Sequence, residues 1–429
     1  MNKIYYVAIL LMISQVSFGA ATTRYVWTNS PSAGTPYDTW NKAAHTITAA
    51  VSAASAGDTV LVTNGTYVVS TQISISIGIT VTSVNGSAVT IVDGNYPATT
   101  NRCFNLTVTN VLLDGFTITK GGGGGAGTYG GGIYLAGGGV VRNCLISNNV
   151  STYDGGISIH RGVVDNCLII VPNVLITNCW IIGNVSKTST GGYGGSANVY
   201  NSVIANNRCT NGTAGGCKLS GDGTTHLYVV QNCIITNNFS KNQGGGVYID
   251  GVWGLMTVRN CLIADNVSSN SNGGGLYCSS TGTVQNCTIV SNIAPKGSGG
   301  GICWVGTVAN GRDQQIQNSI IWGNTALDTY SNYYNTGSVS YSNCCFAPVL
   351  TDSSTNLSAN NIADDPRLIG LSSGNFRLAQ NSPCLNSGLN QDWMTNSVDL
   401  DGRMRIRYGT VDMGTYEIIY EGTIYRLGF

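Results

Sequence analysis

Residues 141–149 read "VRNCLISNN", with apolar Cys144 and Ile146 alternating with variable or polar neighbours. The same pattern returns as "ITNCWIIGN" (176–184), "VYNSVIANN" (199–207), "VQNCIITNN" (230–238), "VRNCLIADN" (258–266), "VQNCTIVSN" (284–292) and "IQNSIIWGN" (316–324). Cys or Ser stands one residue after the first Asn and Ile three after it, while the position between them varies. An apolar period of two with β-branched residues predicts short strands, and helical i, i+3, i+4 spacing is absent. A second apolar run follows glycines: "GGGIY" (130–134), "GGISI" (155–159), "GGSAN" (194–198), "GGCKL" (215–219), "GGGVY" (244–248), "GGGLY" (273–277) and "GGGIC" (299–303). Each unit reads as strand, corner, strand, loop.

The first asparagines, with Asn166 and Asn343 included, are separated by 23, 12, 23, 31, 28, 26, 32 and 25 residues. Repeats of this length predict a solenoid. With β units the reading is all-β: a right-handed parallel β-helix with a short N-terminal cap helix. Asn is one of the few non-Gly residues that visits left-handed φ readily, which suits a sharp corner. Stacked coils would place Asn143, Asn178, Asn201, Asn232, Asn260, Asn286 and Asn318 in a structural ladder of side-chain amides. The 12-residue step between Asn166 and Asn178, with Pro172 inside it, is too short for a coil and marks an irregularity.

The ends differ from the middle. Residues 1–21 have Lys3, an apolar run from Ile4 to Ile13 and small residues at Gly19, Ala20 and Ala21, which predicts a secretory signal. Residues 22–69 predict the cap helix leading into the first strand, residues 70–347 the coils, and residues 348–429 a closing module. The expected location is outside the cell, secreted or associated with the outer-membrane surface and not spanning it.

Charge and cysteine content narrow the partners. The net charge is zero and 9% of residues are charged, so no basic stripe serves nucleic acid. Seven of the 14 cysteines follow Asn, and Ser202 and Ser319 replace Cys at equivalent positions. A slot that takes Cys or Ser reads as a small buried position rather than half of a disulfide.

The stretches "AAHTITAAVSAASAGDTVLVTNGTY", "VTSVNGSAVTIVDG" and "LDGFTITKGG" resemble the opening of bacterial β-helix proteins of the pectin-lyase-like superfamily. The repeats resemble those of polymorphic outer-membrane proteins, which favour Phe where this chain has Ile146, Ile263 and Ile289. The tail, "DDPRLIG…GNFRLAQNSPCLNSG" and "VDLDGRMRIRYGTVDMGTYE" (364–417), is similar to the choice-of-anchor module. The resemblance implies a fold and an exported location more than an activity.

The Asn-Thr-Asp, Asp-Asp, Gly-His-Gly and Arg-Ile-Lys motifs of the hydrolase branch are missing, as is a pectate-lyase signature. The remaining catalytic candidates are His160, Arg161 and Asp165, in "HRGVVD". His226, beside Asp222, is a lone loop histidine, and His45 is assigned a structural place in the cap helix. The ligand-binding candidates are Trp253 and Trp304, on loops that follow the glycine strands, with Tyr248 and Tyr277 on the strands themselves. Such rings suit sugar stacking. Trp180 and Trp322 point outward beneath neighbouring segments. Asp399, Asp401, Asp412 and Glu417 offer oxygens to Ca2+ without an EF-hand pattern, and no other cofactor is expected. The leading reading is an adhesin-like protein that binds a polysaccharide or cell-surface glycan without catalysis. The alternative is a diverged polysaccharide lyase or glycoside hydrolase.

Overall fold

The computed structural model describes residues 20–123, 128–159, 175–221, 227–250, 255–305, 314–328, 330–336, 338–348, 355–357 and 360–418. The chain winds as a right-handed parallel β-helix. Among the described residues its coils build four parallel sheets of 13, 11, 8 and 10 strands, called I to IV in the order each coil visits them. One coil shows the plan: Leu227–Gln231 in sheet I, Ile234–Thr236 in II, Phe239–Ser240 in III and Val247–Asp250 in IV.

Alternation decides what points inward. The middle residues of sheets I and II, such as Val230 and Ile235, and the first and third of sheet IV, such as Val247 and Ile249, are fully buried. They join one continuous apolar core along the axis. The +1 slot behaves as its Cys/Ser exchange implies. Cys179 Sγ donates to Thr177 O at 3.2 Å, and Ser202 Oγ donates to Tyr200 O at 2.7 Å. The slot thus asks for a small donor that reaches the carbonyl two residues back. All thirteen described cysteines are free and buried. Burial raises the pKa of thiols such as Cys144 and Cys217, which keeps them un-ionised and unreactive.

From Asn143 onward the described coils turn at left-handed asparagines. Among the described residues, the first Asn of the repeats from Asn143 to Asn343 has φ between 48° and 55°. The side chains of Asn201, Asn232 and Asn260 bond in series, at 3.0 and 2.7 Å, and Asn318 donates to Asn286 at 3.2 Å. Asn143 instead donates to Asp114, and Asn178 joins no such bond, so the expected ladder is broken there. The continuous ladder belongs to the closing asparagine of the motif. Asn149, Asn184, Asn207, Asn238, Asn266, Asn292 and Asn324 are buried between sheets II and III, and each Nδ2 donates to the next Oδ1 at 2.9–3.0 Å. Asn332 ends the series.

The glycine pairs belong to the same device. A Cβ on Gly216 would lie 2.9 Å from Asn238 Nδ2 and 2.6 Å from Gly246 O, so only Gly lets sheet IV start against the ladder. This also corrects one assignment. Gly191 and Gly192, rather than Gly194 and Gly195, are the ladder pair of their coil, and Tyr193 takes the inward place of Ile157.

Three further expectations change. The first strand, Thr23–Val26, precedes the cap helix and pairs with Thr59–Val62, so the helix Ile47–Ala53 sits between two strands of sheet I. His45 lies just before that helix, with Nε2 3.0 Å from Ser30 O. Thr177 pairs directly with Arg142, so Asn178 stacks on Asn143. Asn166 and Cys167 lie outside the described residues.

The C-terminal segment folds back along the outer face of sheet II. Phe376 and Tyr416 cover Leu262, Ala264 and Val290, while Leu378, Cys384 and Met413 pack on Ile320 and Cys345. Beneath them Arg405, fully buried, donates to Asn260 Oδ1 at 3.2 Å and Gly414 O at 3.0 Å. Its guanidinium lies 3.2 Å from Glu417, yet burial outweighs that attraction and pushes the Glu417 carboxyl up to about 8.

Two outcomes follow from these buried polar groups. Asn238 makes four bonds: to Ile204 O and Asn266 Oδ1, and from Asn207 N and Nδ2. Replacing it by Ala strands their partners, and in chemical denaturation Asn238→Ala should cost about 2–4 kcal/mol. Asn201→Gly keeps the left-handed corner and should cost about 1 kcal/mol or less. Glu417 generates a pH dependence. Between its ordinary 4.5 and about 8 the folded state holds a proton that the unfolded chain has released, so its contribution to stability falls as pH rises through that window. The Tm of the wild type relative to Glu417→Gln should therefore decline from pH 5 to pH 8 and level off above it.

Candidate functional site

Outward positions of a solenoid are free of the stacking rule, so an unusual file of residues there is informative. On sheet IV the outward residue of successive coils, in register, is Asn105, Tyr134, Ser158, Gly194, Lys218, Tyr248, Tyr277, Cys303 and Tyr334. The rings form three groups along the axis. Tyr129 stacks on Tyr153 at 4.8 Å and faces Tyr134 at 6.0 Å. Tyr248 and Tyr277 are nearly parallel, 5.2 Å apart at 10°. Tyr330 meets Tyr334 edge-on at 5.1 Å. At ~4.8 Å per strand, Tyr134 and Tyr248 are separated by four steps, ~19 Å.

Cations flank two of these groups. The Arg102 guanidinium sits 4.8 Å from the Tyr134 ring centre, and the Lys218 ammonium 5.3 Å from that of Tyr248. Lys218 also pairs with Asp250 at 3.2 Å. Arg102 has no ion pair among the described residues, and burial lowers its pKa. In register with Tyr134, Asn105 Oδ1 is buried without a hydrogen-bond partner among the described residues. In the middle of the file Asp154 fills a left-handed corner, φ 50°, at the place where the next two coils carry Thr190 and Ala214 and the following ones Gly244, Gly273 and Gly299. Its carboxylate accepts from Ser158 Oγ at 2.6 Å and Thr190 N at 3.2 Å, and burial raises its pKa. A Cβ on Gly194 would lie 2.3 Å from Asp154 Oδ1, so the glycine makes room for that carboxylate.

Tyr248 and Tyr277 stand together as proposed ligand residues. Trp304 does not join them. It ends the strand Ile302–Trp304, and alternation turns residues 302 and 304 inward and Cys303 outward. The indole is fully buried and donates Nε1 to Ser280 O at 3.0 Å, which removes the two-tryptophan loop face. Trp253, His160, Arg161, Asp165, Asp222 and His226 lie outside the described residues. Trp180 is exposed, whereas Trp322 is part-buried and packs against the cluster that includes Phe376 and Tyr416 of the tail. Sequence reasoning missed Arg102, Tyr129, Tyr134, Tyr153 and Lys218. The signal was present: Tyr follows the apolar residue in "GGGIY", "GGGVY" and "GGGLY", and Lys holds that place in "GGCKL".

The tail carboxylates are engaged by hydrogen bonds and ion pairs within the segment. Asp399 Oδ1 accepts from Asp401 N and Arg403 N, its Oδ2 accepts from Glu417 N, and Asp401 pairs with Arg377 and Arg403. They form a hydrogen-bonded closing turn. No group of three or more His, Cys, Asp or Glu set to hold a metal occurs among the described residues. None of their helices is long and apolar enough to cross a membrane.

The sequence matches no protein-family model and no curated protein. Among solved structures, the fold is similar to pectate lyase Pel9A, with a TM-score of 0.51, 15% identity and coverage of 93% of this chain and 97% of that one. It also aligns with a PL6 family polysaccharide lyase, Pedsa3628 from Pseudopedobacter saltans, at a TM-score of 0.27 and 11% identity, over 86% of this chain and 98% of that one. The first likeness bears on the fold: a parallel β-helix of the architecture used by a pectate lyase.

Inward and outward rings should respond differently to truncation. Trp304→Ala opens a cavity in the core and should cost about 3–5 kcal/mol. Tyr248→Ala should lose about 1 kcal/mol of ring contact in the same denaturation experiment.

Proposed function

We propose that this chain is an exported protein that binds a polysaccharide along the outer face of sheet IV. The observation that carries the reading is the pair Tyr248–Tyr277. Two parallel rings stacked one coil apart, Tyr248 part-exposed and Tyr277 9% exposed, with Lys218 beside them, present a sugar chain with aromatic edges and a charged side chain. The group at Tyr134 and Arg102 repeats that design about four coils away. A linear glycan running parallel to the axis would meet both. The signal-like residues 1–21 support a location outside the cell, and the resemblance of residues 364–417 to a choice-of-anchor module supports attachment at the surface.

A catalytic reading stands second. His160, Arg161 and Asp165 follow the strand Ile157–Ile159, whose outward Ser158 lies between the two tyrosine groups. This fits a diverged lyase or hydrolase acting on the same bound chain.

One panel of acidic and neutral polysaccharides tests both. Tyr248→Ala with Tyr277→Ala should weaken binding of the retained glycan about tenfold or more, since each stacked ring contributes on the order of 1 kcal/mol. Unchanged affinity in the folded double variant would overturn the assignment to sheet IV. Release of unsaturated or reducing ends by wild type, lost in His160→Ala, would establish the catalytic reading.

A further inference from the structure

The described cysteines that follow Asn face inward and join the axial core. The stretch "NCCF" (343–346) adds a cysteine that does not. Cys344 fills the inward slot, and its Sγ donates to Ser342 O at 3.3 Å. Cys345 takes the next, outward place, in register with Ile320, so strand alternation turns the two sulfurs to opposite sides of the wall. The same place in the preceding repeats holds Leu, Trp, Val, Ile or Thr.

Opposite Cys345 stands Cys384 of the tail. Both are fully buried in one cluster with Ile320, Leu378 and Met413. Their thiols are within hydrogen-bond reach of one another. Both backbones are anchored: Cys345 N donates to Ser319 O at 2.9 Å, and Cys384 O accepts from Met413 N at 3.0 Å. Cys345–Phe346 is the last strand of sheet II among the described residues, so the two sulfurs meet where the stack of coils ends.

We propose that Cys345 and Cys384 are a disulfide-forming pair that locks the tail onto the last coil. The stacked thiols of the core are the contrast. Cys233, Cys261 and Cys287 also touch, but each donates to the carbonyl two residues back, at 3.1–3.3 Å, and strand pairing already joins their coils. A Cys345–Cys384 bond joins two segments that share no strand pairing among the described residues, and it closes a loop of about 40 residues, which restricts the unfolded chain. The oxidant is a disulfide, either of a small thiol or of a thiol–disulfide oxidoreductase. One cysteine thiolate attacks it, forms a mixed disulfide and expels a thiolate; the other attacks the protein sulfur of that mixed disulfide and expels the second. The two cysteines lose two electrons and two protons, and the oxidant leaves as a dithiol or two thiols. Timing follows from burial. In the docked tail the neighbouring Cys384 thiol and desolvation hold Cys345 un-ionised, so the exchange belongs to the stage before the tail closes, and closure then shields the bond from reductants.

The test folds the intact chain in a buffer of reduced and oxidised glutathione, blocks free thiols with iodoacetamide in denaturant and reads the tryptic map without reduction. Trypsin cleaves after Arg312, Arg367, Arg377 and Arg403, so Cys344 and Cys345 fall in residues 313–367 and Cys384 in residues 378–403. Wild type should show these two peptides joined, two hydrogens lighter than their sum, and separated by dithiothreitol. Cys344→Ser should keep the link, because Ser202 and Ser319 fill that slot elsewhere, and Cys384→Ser should lose it. Wild type that is folded by far-UV circular dichroism and carries blocked thiols on both peptides overturns the proposal. So does a link that a folded Cys344→Ser variant loses. A chain that does not refold is exported to the bacterial periplasm, an oxidising compartment, and mapped in the same way. Should Cys384→Ser not fold, the wild-type map and Cys344→Ser decide. In chemical denaturation, dithiothreitol should lower the midpoint of linked wild type and leave that of Cys384→Ser in place; an unmoved wild-type midpoint overturns the locking role. None of these readouts involves polysaccharide, so they stand apart from the reading of sheet IV.

Discussion

The asparagine ladder between sheets II and III is the constraint on which the rest depends. A solenoid has no central hydrophobic ball. Its core is a column one coil thick at any level, so the register of each coil on the next must be fixed locally. Apolar stacking alone is indifferent to small slips. The ladder is not: each Nδ2 donates both to the next Oδ1 and to a carbonyl of the preceding coil, as Asn207 does to Asn238 and Ile181. A slip would leave buried donors unsatisfied at every level, at about 1–3 kcal/mol each. The ladder in turn dictates the paired glycines, because their absent Cβ atoms are the space in which the amides stand. Register fixed in this way lets outward residues line up in files, and the tyrosine file of sheet IV is one of them.

The tail exploits the same regularity from outside. Its contacts reach four consecutive corners, and its buried Arg405 bonds Asn260 of the coil wall. Thr415 bonds to both Thr288 and the Cys261 carbonyl, tying two coils through one side chain. The segment therefore clamps neighbouring coils together as well as covering apolar strands. It does so with a charged group fully removed from water, an arrangement that is unfavourable unless its partners are held in place. The preformed corners supply those partners.

Much of the fold was legible because the repeat makes every error visible several times over. Period-two alternation, recurrent Asn and paired Gly suffice for a parallel β-helix. What remained hidden was which of two asparagines the coil itself buries. Both recur, and only the packing of sheet IV against the II–III turn distinguishes Asn149 from Asn143; Asn260, Asn286 and Asn318 of the first series are buried by the tail instead. Trp304 was misread for a related reason. It stands at the last inward position of a strand, next to "VGTVANG", and sequence alone does not say where alternation stops and the loop begins. The tyrosine file was legible only in part. Tyr248 and Tyr277 share the "GGG[VL]Y" frame, but Tyr129 and Tyr153 reach the same face from outside it. Arg102 is brought to Tyr134 by strand pairing across about thirty residues, a distance no local pattern reports.

The division of labour between inward and outward positions explains how such a chain can change its outer surface without losing its fold. Inward, Cys, Ile, Asn and Gly are each fixed by a neighbour above and below. Outward, the same strands carry Ser158, Gly194, Lys218 and Tyr248 at equivalent places, with no shared requirement of size or charge. Because each coil repeats the geometry of the last, a favourable outward residue gains a partner ~4.8 Å away whenever the next coil copies it. Tyr248 and Tyr277 are one such copied pair, and Leu145 with Trp180 on sheet II are a looser one. Extended polymers have repeats of their own, so a surface built from copied coils can engage several units of a chain with the same few residue types.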